Sequence, residues 1–255
     1  DLRFQSSTGQ ELKHEVAFWN QSGKSAVWVS LPTLARNDVI TMRWGNSAAA
    51  TPVYRTDGSV WAQYAGVYHL EQSQGSPAPD SSSFANHAPI ENSSYLPESN
   101  ASGISGGGYN FAKNSWQGFK KDEFAGGLAM NSKTVSFWTY FSQNTENYRK
   151  WWGLTTPSGR FYLETQNNNP PKPQIAWTGL SPSIGATYPS GVSYPAISKN
   201  QWHQLTTVSD NGIVKIYVNG SLYLTSNFQD SSIANELSIG RSSWGTSPGI
   251  TIDEI

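Results

Sequence analysis

Few side chains in this 255-residue chain are spaced for catalysis or for binding metal. The four histidines, His14, His69, His87 and His203, are scattered and include no His-x-x-x-His pair, the spacing that sets two imidazoles on one helical face for zinc. Cysteine is absent, which removes thiolate nucleophiles, disulfides and cysteine-ligated metals. Cleaving a glycosidic bond with retention needs two carboxyl groups about 5 Å apart. Glu164 stands alone in its segment, Tyr162-Leu163-Glu164-Thr165-Gln166. Asp253 and Glu254 are adjacent, so on a strand they point to opposite faces and cannot work as a pair.

Aromatic residues are the stronger signal. The chain has 11 Trp, 12 Tyr and 10 Phe, and a ring that the core does not claim can stack on a sugar while a few fixed polar groups orient it. On a regular strand, adjacent Trp151 and Trp152 cannot both face inward, so one is expected at the surface or beneath a loop. Tyr162 and Trp177 fall on the next two predicted strands. Arg160 and Glu164 can supply polar contacts, and the 178–200 loop, carrying Tyr188 and Tyr194, is the natural cover. With Trp244, these nine residues are the candidate ligand-binding set. Trp138 and Trp202 are expected in the core, as are Trp19, Trp28 and Trp44.

These side chains need rigid elements to hold them, and almost every element reads as a short strand. Leu12, His14, Val16 and Phe18 alternate with Lys13, Glu15, Ala17 and Trp19. Ala26 to Leu31 and Val39 to Trp44 follow as strands, and a small β domain is expected over residues 1–57. Residues 71–118, rich in Ser, Asn, Gly and Pro, read as long loops broken by short strands, with a turn at Gly106-Gly107-Gly108. Strand patterns resume at Thr134–Phe141, Gly159–Gln166 and Gln174–Trp177. Gln201–Ser209, Ile213–Val218 and Ser221–Thr225 form an antiparallel meander, joined by Asp210-Asn211-Gly212 and Asn219-Gly220; Asn-Gly accepts the positive φ of tight hairpins. No stretch of ten residues has helical periodicity.

Charged residues make up 14% of the chain and the formal net charge is -1, so there is no basic excess to neutralise phosphates and no nucleic-acid partner is expected. No apolar run approaches the ~20 residues of a membrane span.

The meander resembles the laminin G/concanavalin A-like superfamily, whose core pairs a Trp-His strand with a Tyr-Val-Asn-Gly strand end: here Trp202-His203 and Tyr217-Val218-Asn219-Gly220. Gly66–Leu70 looks like the opening strand, and Leu237–Arg241 with Ile250–Ile255 like the closing strands. The resemblance covers residues 58–255 and implies an all-β, antiparallel two-sheet jelly-roll sandwich. Asp1-Leu2-Arg3-Phe4, Val27–Pro32 and Met42–Asn46 resemble a bacterial domain of unknown function (DUF2341-like) that precedes such jelly rolls in surface proteins. Both ends of the chain look truncated against these patterns, as in a piece of a larger surface protein.

The resemblance implies a secreted, cell-surface or periplasmic module. It implies a structural Ca2+ held by Asp80 and Asp253, since hard cations take carboxylate oxygens; the family's acidic residue after the mid-domain Phe is missing, Phe111 being followed by Ala112-Lys113-Asn114. Glycosidases of this fold carry Glu-x-Asp-x-x-Glu and lyases a Gln-Ile-His; neither occurs, and Gln174-Ile175 is followed by Ala176. The expected function is non-catalytic binding of a glycan on a cell surface or in matrix. The alternatives are an adhesion or structural module with a protein partner, and then a polysaccharide-degrading enzyme.

Overall fold

The computed structural model describes residues 1–113, 115–142, 149–168, 171–178, 197–241 and 249–255. Helix among these residues is limited to two single 3-10 turns, Val53–Arg55 and Ser59–Trp61. The main body is two antiparallel sheets packed face to face. One has seven strands in the order Ser221–Asn227, Ile213–Val218, Trp202–Asp210, Ser132–Tyr140, Ile250–Asp253, Gly107–Phe111 and Glu98–Ser105. The other has five, in the order Pro171–Thr178, Arg160–Asn168, Lys150–Thr155, Glu236–Ile239 and Phe119–Lys121.

Period-two alternation decides which residues fill the space between the sheets. In Trp202–Asp210 the buried positions are His203, Leu205, Thr207 and Ser209. Phe137 meets Trp151 of the opposite sheet edge to face, with ring centroids 6.2 Å apart, and Tyr109 meets Phe119 at 5.0 Å. Each large apolar side chain buried this way contributes roughly 1.5–3 kcal/mol. Gly240 lets two segments close up, because a Cβ there would lie 2.2 Å from the Phe111 ring.

The meander forms as expected. Asp210 pairs with Ile213, leaving Asn211-Gly212 as a two-residue loop with φ of 46° and 83°. Val218 pairs with Ser221 around Asn219-Gly220, with φ of 50° and 78°. The opening strand expected at Gly66–Leu70 is different: the segment makes no strand, but Tyr68 and Ile255 form a reciprocal bridge in which the Tyr68 N–H donates to Ile255 O (2.6 Å) and the Ile255 N–H to Tyr68 O (3.0 Å). Leu70 and Glu254 both have positive φ, which turns the chain away from extended pairing on either side.

Upstream lie a three-stranded sheet, Glu11–Leu12, Arg3–Gln5 and Thr41–Arg43, and the hairpin His14–Phe18/Ala26–Val29. Phe4, Leu12 and His14 are buried there, whereas Trp19, Trp28 and Trp44, expected in the core, are exposed. Strands this short have too little surface to cover every ring. Glu15 fastens the hairpin to the sandwich. Its carboxylate accepts from the Trp61 indole N–H and the Ser81 hydroxyl (2.8 Å) and lies 3.5 Å from His69 Nε2. His69 Nδ1 is 2.6 Å from the Glu254 carboxylate. Burial alone would lower the His69 pKa, but the hydrogen bonds to Glu15 and Glu254, with their charges, push it up to about 10.

Candidate functional site

The outward face of the seven-stranded sheet carries one continuous row of side chains. Residues directly opposite in neighbouring strands share a face. Glu98 is opposite Asn110, Asn110 opposite Thr251, Thr251 opposite Tyr140, and Tyr140 opposite Trp202. Five strands therefore contribute one residue each, along about 19 Å at the ~4.8 Å inter-strand spacing. One end is polar and the other aromatic. The Tyr140 and Trp202 rings are half-buried, with centroids 5.7 Å apart.

A cavity of about 410 Å³ lies over the polar end and the middle of this row, lined by Glu98, Asn100, Asn110, Tyr140 and Thr251 together with Ser99, Phe141, Ser142 and Gly249. The Asn110 amide points at the Glu98 carboxylate (3.4 Å) and the Asn100 amide at the Thr251 hydroxyl (3.5 Å). Such amides and hydroxyls both donate to and accept from sugar hydroxyls, and the carboxylate accepts from them. Glu98 is the one carboxylate in the described lining, short of the two that retaining glycoside hydrolysis requires.

Trp138 and Asp253 form part of the next row, directly opposite each other. Asp253 Oδ2 accepts from the N–H groups of Ile104 (2.6 Å) and Ser105 (3.1 Å), while Oδ1 is buried without a hydrogen-bond partner. Burial and the neighbouring Glu254 charge push the Asp253 pKa up to about 7 against those two N–H groups. Asp80 sits otherwise: its carboxylate accepts from Val67 N–H, Ser82 N–H and hydroxyl, and Asn86 N–H, all within 2.8 Å. That saturates it as the cap of its own loop.

Among the described residues, the three tryptophans expected on an aromatic platform of the other sheet face inward instead. Trp151 and Trp152 are 0% exposed and Trp177 is 1% exposed. Lys150 pairs with Glu164 and Trp152 with Leu163, so Trp151 is the extra residue of a β-bulge. The bulge breaks the alternation and both tryptophans enter the core, Trp151 against Phe137 and Trp152 against Phe161. Trp177 stacks on Phe161 and packs against Phe228. Arg160, Tyr162 and Glu164 do share the outward face of the five-stranded sheet, as alternate residues of one strand. Glu164 is committed there to an ion pair with Lys150 and a hydrogen bond from the Gln174 amide (2.7 Å), and the Lys150 ammonium lies 3.9 Å from the centre of the Tyr162 ring. Tyr188, Tyr194 and Trp244 lie outside the described residues.

The row that the structure does present was missed, and Trp138 and Trp202, expected in the core, are half-exposed on its face. Phe137-Trp138 poses the same question as Trp151-Trp152: one of two adjacent rings on a strand must face outward. There the strand is regular, so Phe137 and Thr139 go in while Trp138 and Tyr140 go out. Glu98, Asn100 and Asn110 had no readable signal in a stretch dominated by Ser, Asn and Gly.

Sheet order, inward packing and a polar-aromatic cavity on one face define a jelly-roll sandwich of the lectin and glucanase type. A family model for the concanavalin A-like lectin/glucanases superfamily (Laminin_G_3) matches residues 122–254, and the chain belongs to that superfamily. Domain 4 of AbnA, a GH43 extracellular arabinanase from Geobacillus stearothermophilus solved in complex with arabinotriose, is 20% identical with a TM-score of 0.54, covering 74% of this chain and 89% of that one. A Trypanosoma rangeli sialidase in complex with the inhibitor DANA is 13% identical with a TM-score of 0.51, covering 74% of this chain and 29% of that one. At these identities the likeness is one of fold, and both structures belong to enzymes, so the fold does not separate binding from catalysis. No curated protein sequence matches the chain.

Proposed function

We propose that this chain is a non-catalytic glycan-binding module whose ligand lies across the outward face of the seven-stranded sheet. The observation that carries the reading is the row Glu98, Asn110, Thr251, Tyr140 and Trp202, in which a cavity over the polar groups and Tyr140 is continued at one end by the adjacent Trp202 ring. A pyranose or furanose has an apolar face for the rings and hydroxyls for the amides and carboxylate. The described lining holds one carboxylate with neutral amides and hydroxyls, groups suited to holding a sugar. Polysaccharides of this kind are met on cell surfaces and outside cells, which is where this reading places the protein. The arabinotriose bound by the similar arabinanase domain is a rational first probe.

The test is calorimetric titration of the whole chain with a panel of oligosaccharides that includes arabinotriose. The reading expects at least one member to bind and Tyr140→Ala to weaken it at least several-fold, with polysaccharide release of reducing ends remaining at background. A spacer or adhesion module without a sugar site gives no binding by any member, and an enzyme gives soluble products.

A further inference from the structure

We infer that the cavity on the seven-stranded sheet selects uncharged oligosaccharides and rejects those bearing uronate or sulfate groups. This rests on the glycan-binding reading of that face and adds the ligand's chemical class. The argument is electrostatic. Among the described residues that line the cavity there is one charged side chain, Glu98, and no Lys, Arg or His. Its neighbours are neutral amides and hydroxyls, and the Asn110 amide holds the carboxylate toward the row (3.4 Å). An acidic glycan bound elsewhere is met by guanidinium or ammonium groups, which pair with carboxylate and sulfate as hydrogen-bonding cations. Here an acidic group laid on the polar end would meet Glu98 at close range instead.

Neutral sugars suit the same groups well. A carboxylate offers only acceptors and so takes two hydroxyl protons at once, while Asn100 and Asn110 each offer both donors and acceptors. The row is about 19 Å long at the usual inter-strand spacing, longer than one sugar ring. A chain of several units can therefore place hydroxyls over Glu98 and Asn110 while another unit reaches the Tyr140 and Trp202 rings.

The experiment compares neutral trisaccharides of arabinose, xylose, mannose, glucose and galactose with trigalacturonate and a sulfated galactotriose, all at low salt so that screening stays small. It uses the whole chain and a Glu98→Gln variant, which keeps a hydrogen-bonding side chain without the charge. The expected result is that a neutral trisaccharide binds at least about tenfold tighter than its acidic counterpart, and that Glu98→Gln narrows the gap several-fold by strengthening binding of the acidic one. If an acidic trisaccharide binds as tightly as, or more tightly than, the neutral ones, the inference is overturned and glycan binding stands. If the gap is unchanged in Glu98→Gln, Glu98 is not its cause and the inference fails. If no member of either set binds, the glycan-binding reading itself falls.

Discussion

Tyr140 and Trp202 lie directly opposite each other in neighbouring antiparallel strands, their ring planes tilted by 47° and both half-exposed on the outward face. Trp152, one sheet away, is fully buried. Rings of similar size thus have opposite consequences. Trp202→Ala should change the melting temperature little while weakening oligosaccharide binding, at about 1 kcal/mol per stacked ring. Trp152→Ala should cost about 3–5 kcal/mol of stability. Thermal melts and titrations on the two variants check both, and equal destabilisation by both would place Trp202 in the core.

That contrast also marks how far the sequence could be read. The meander was legible because Asn211-Gly212 and Asn219-Gly220 carry their turn geometry in their own chemistry, and because Trp202–Asp210 alternates without interruption. The binding face was not. Alternation predicts that two adjacent tryptophans diverge, but a bulge at Trp151 depends on the partner strand's register, which no local pattern encodes. Glu98 and Asn110 meet Thr251 only through pairing across more than 140 positions.

The ion pair between Lys150 and Glu164 is buried beside Gln174. Removing one partner should leave an uncompensated charge, so Glu164→Gln is expected to cost about 3–5 kcal/mol, and Lys150→Met with Glu164→Leu to recover most of it. Denaturant melts of the single and double variants decide this; additive losses would show that the pair is not coupled.

His69 and Lys133 should respond to pH with opposite signs. The His69 pKa is raised to about 10, so its contribution is complete below about pH 6.5 and is lost as pH rises through 10. The advantage of the native chain over His69→Gln should shrink across that window. Lys133, desolvated over the Phe161 ring, is lowered to about 7 with Asp230 opposing. The native ammonium is therefore disfavoured, and the cost relative to Lys133→Met should fade as pH rises from 7 to about 10.4. Stability measured against pH for each variant tests the two slopes; parallel curves would refute both.

Asp253 carries a buried, unpartnered oxygen and a pKa of about 7. Between about pH 4 and 7 the folded chain holds a proton there that the unfolded chain releases, so stability falls as pH rises, by up to about 1.4 kcal/mol per unit. Asp253→Asn should lack that decline relative to the native chain. An identical pH profile would mean that Asp253 is ionised throughout.

The most direct test of the binding face is amide chemical-shift mapping of the isotopically labelled chain with whichever oligosaccharide of the panel binds. Shifts are expected to concentrate at Glu98, Asn110, Tyr140, Trp202 and Thr251, one residue from each of five strands. Shifts confined to Arg160, Tyr162 and Glu164, with the seven-stranded face silent, would contradict the account.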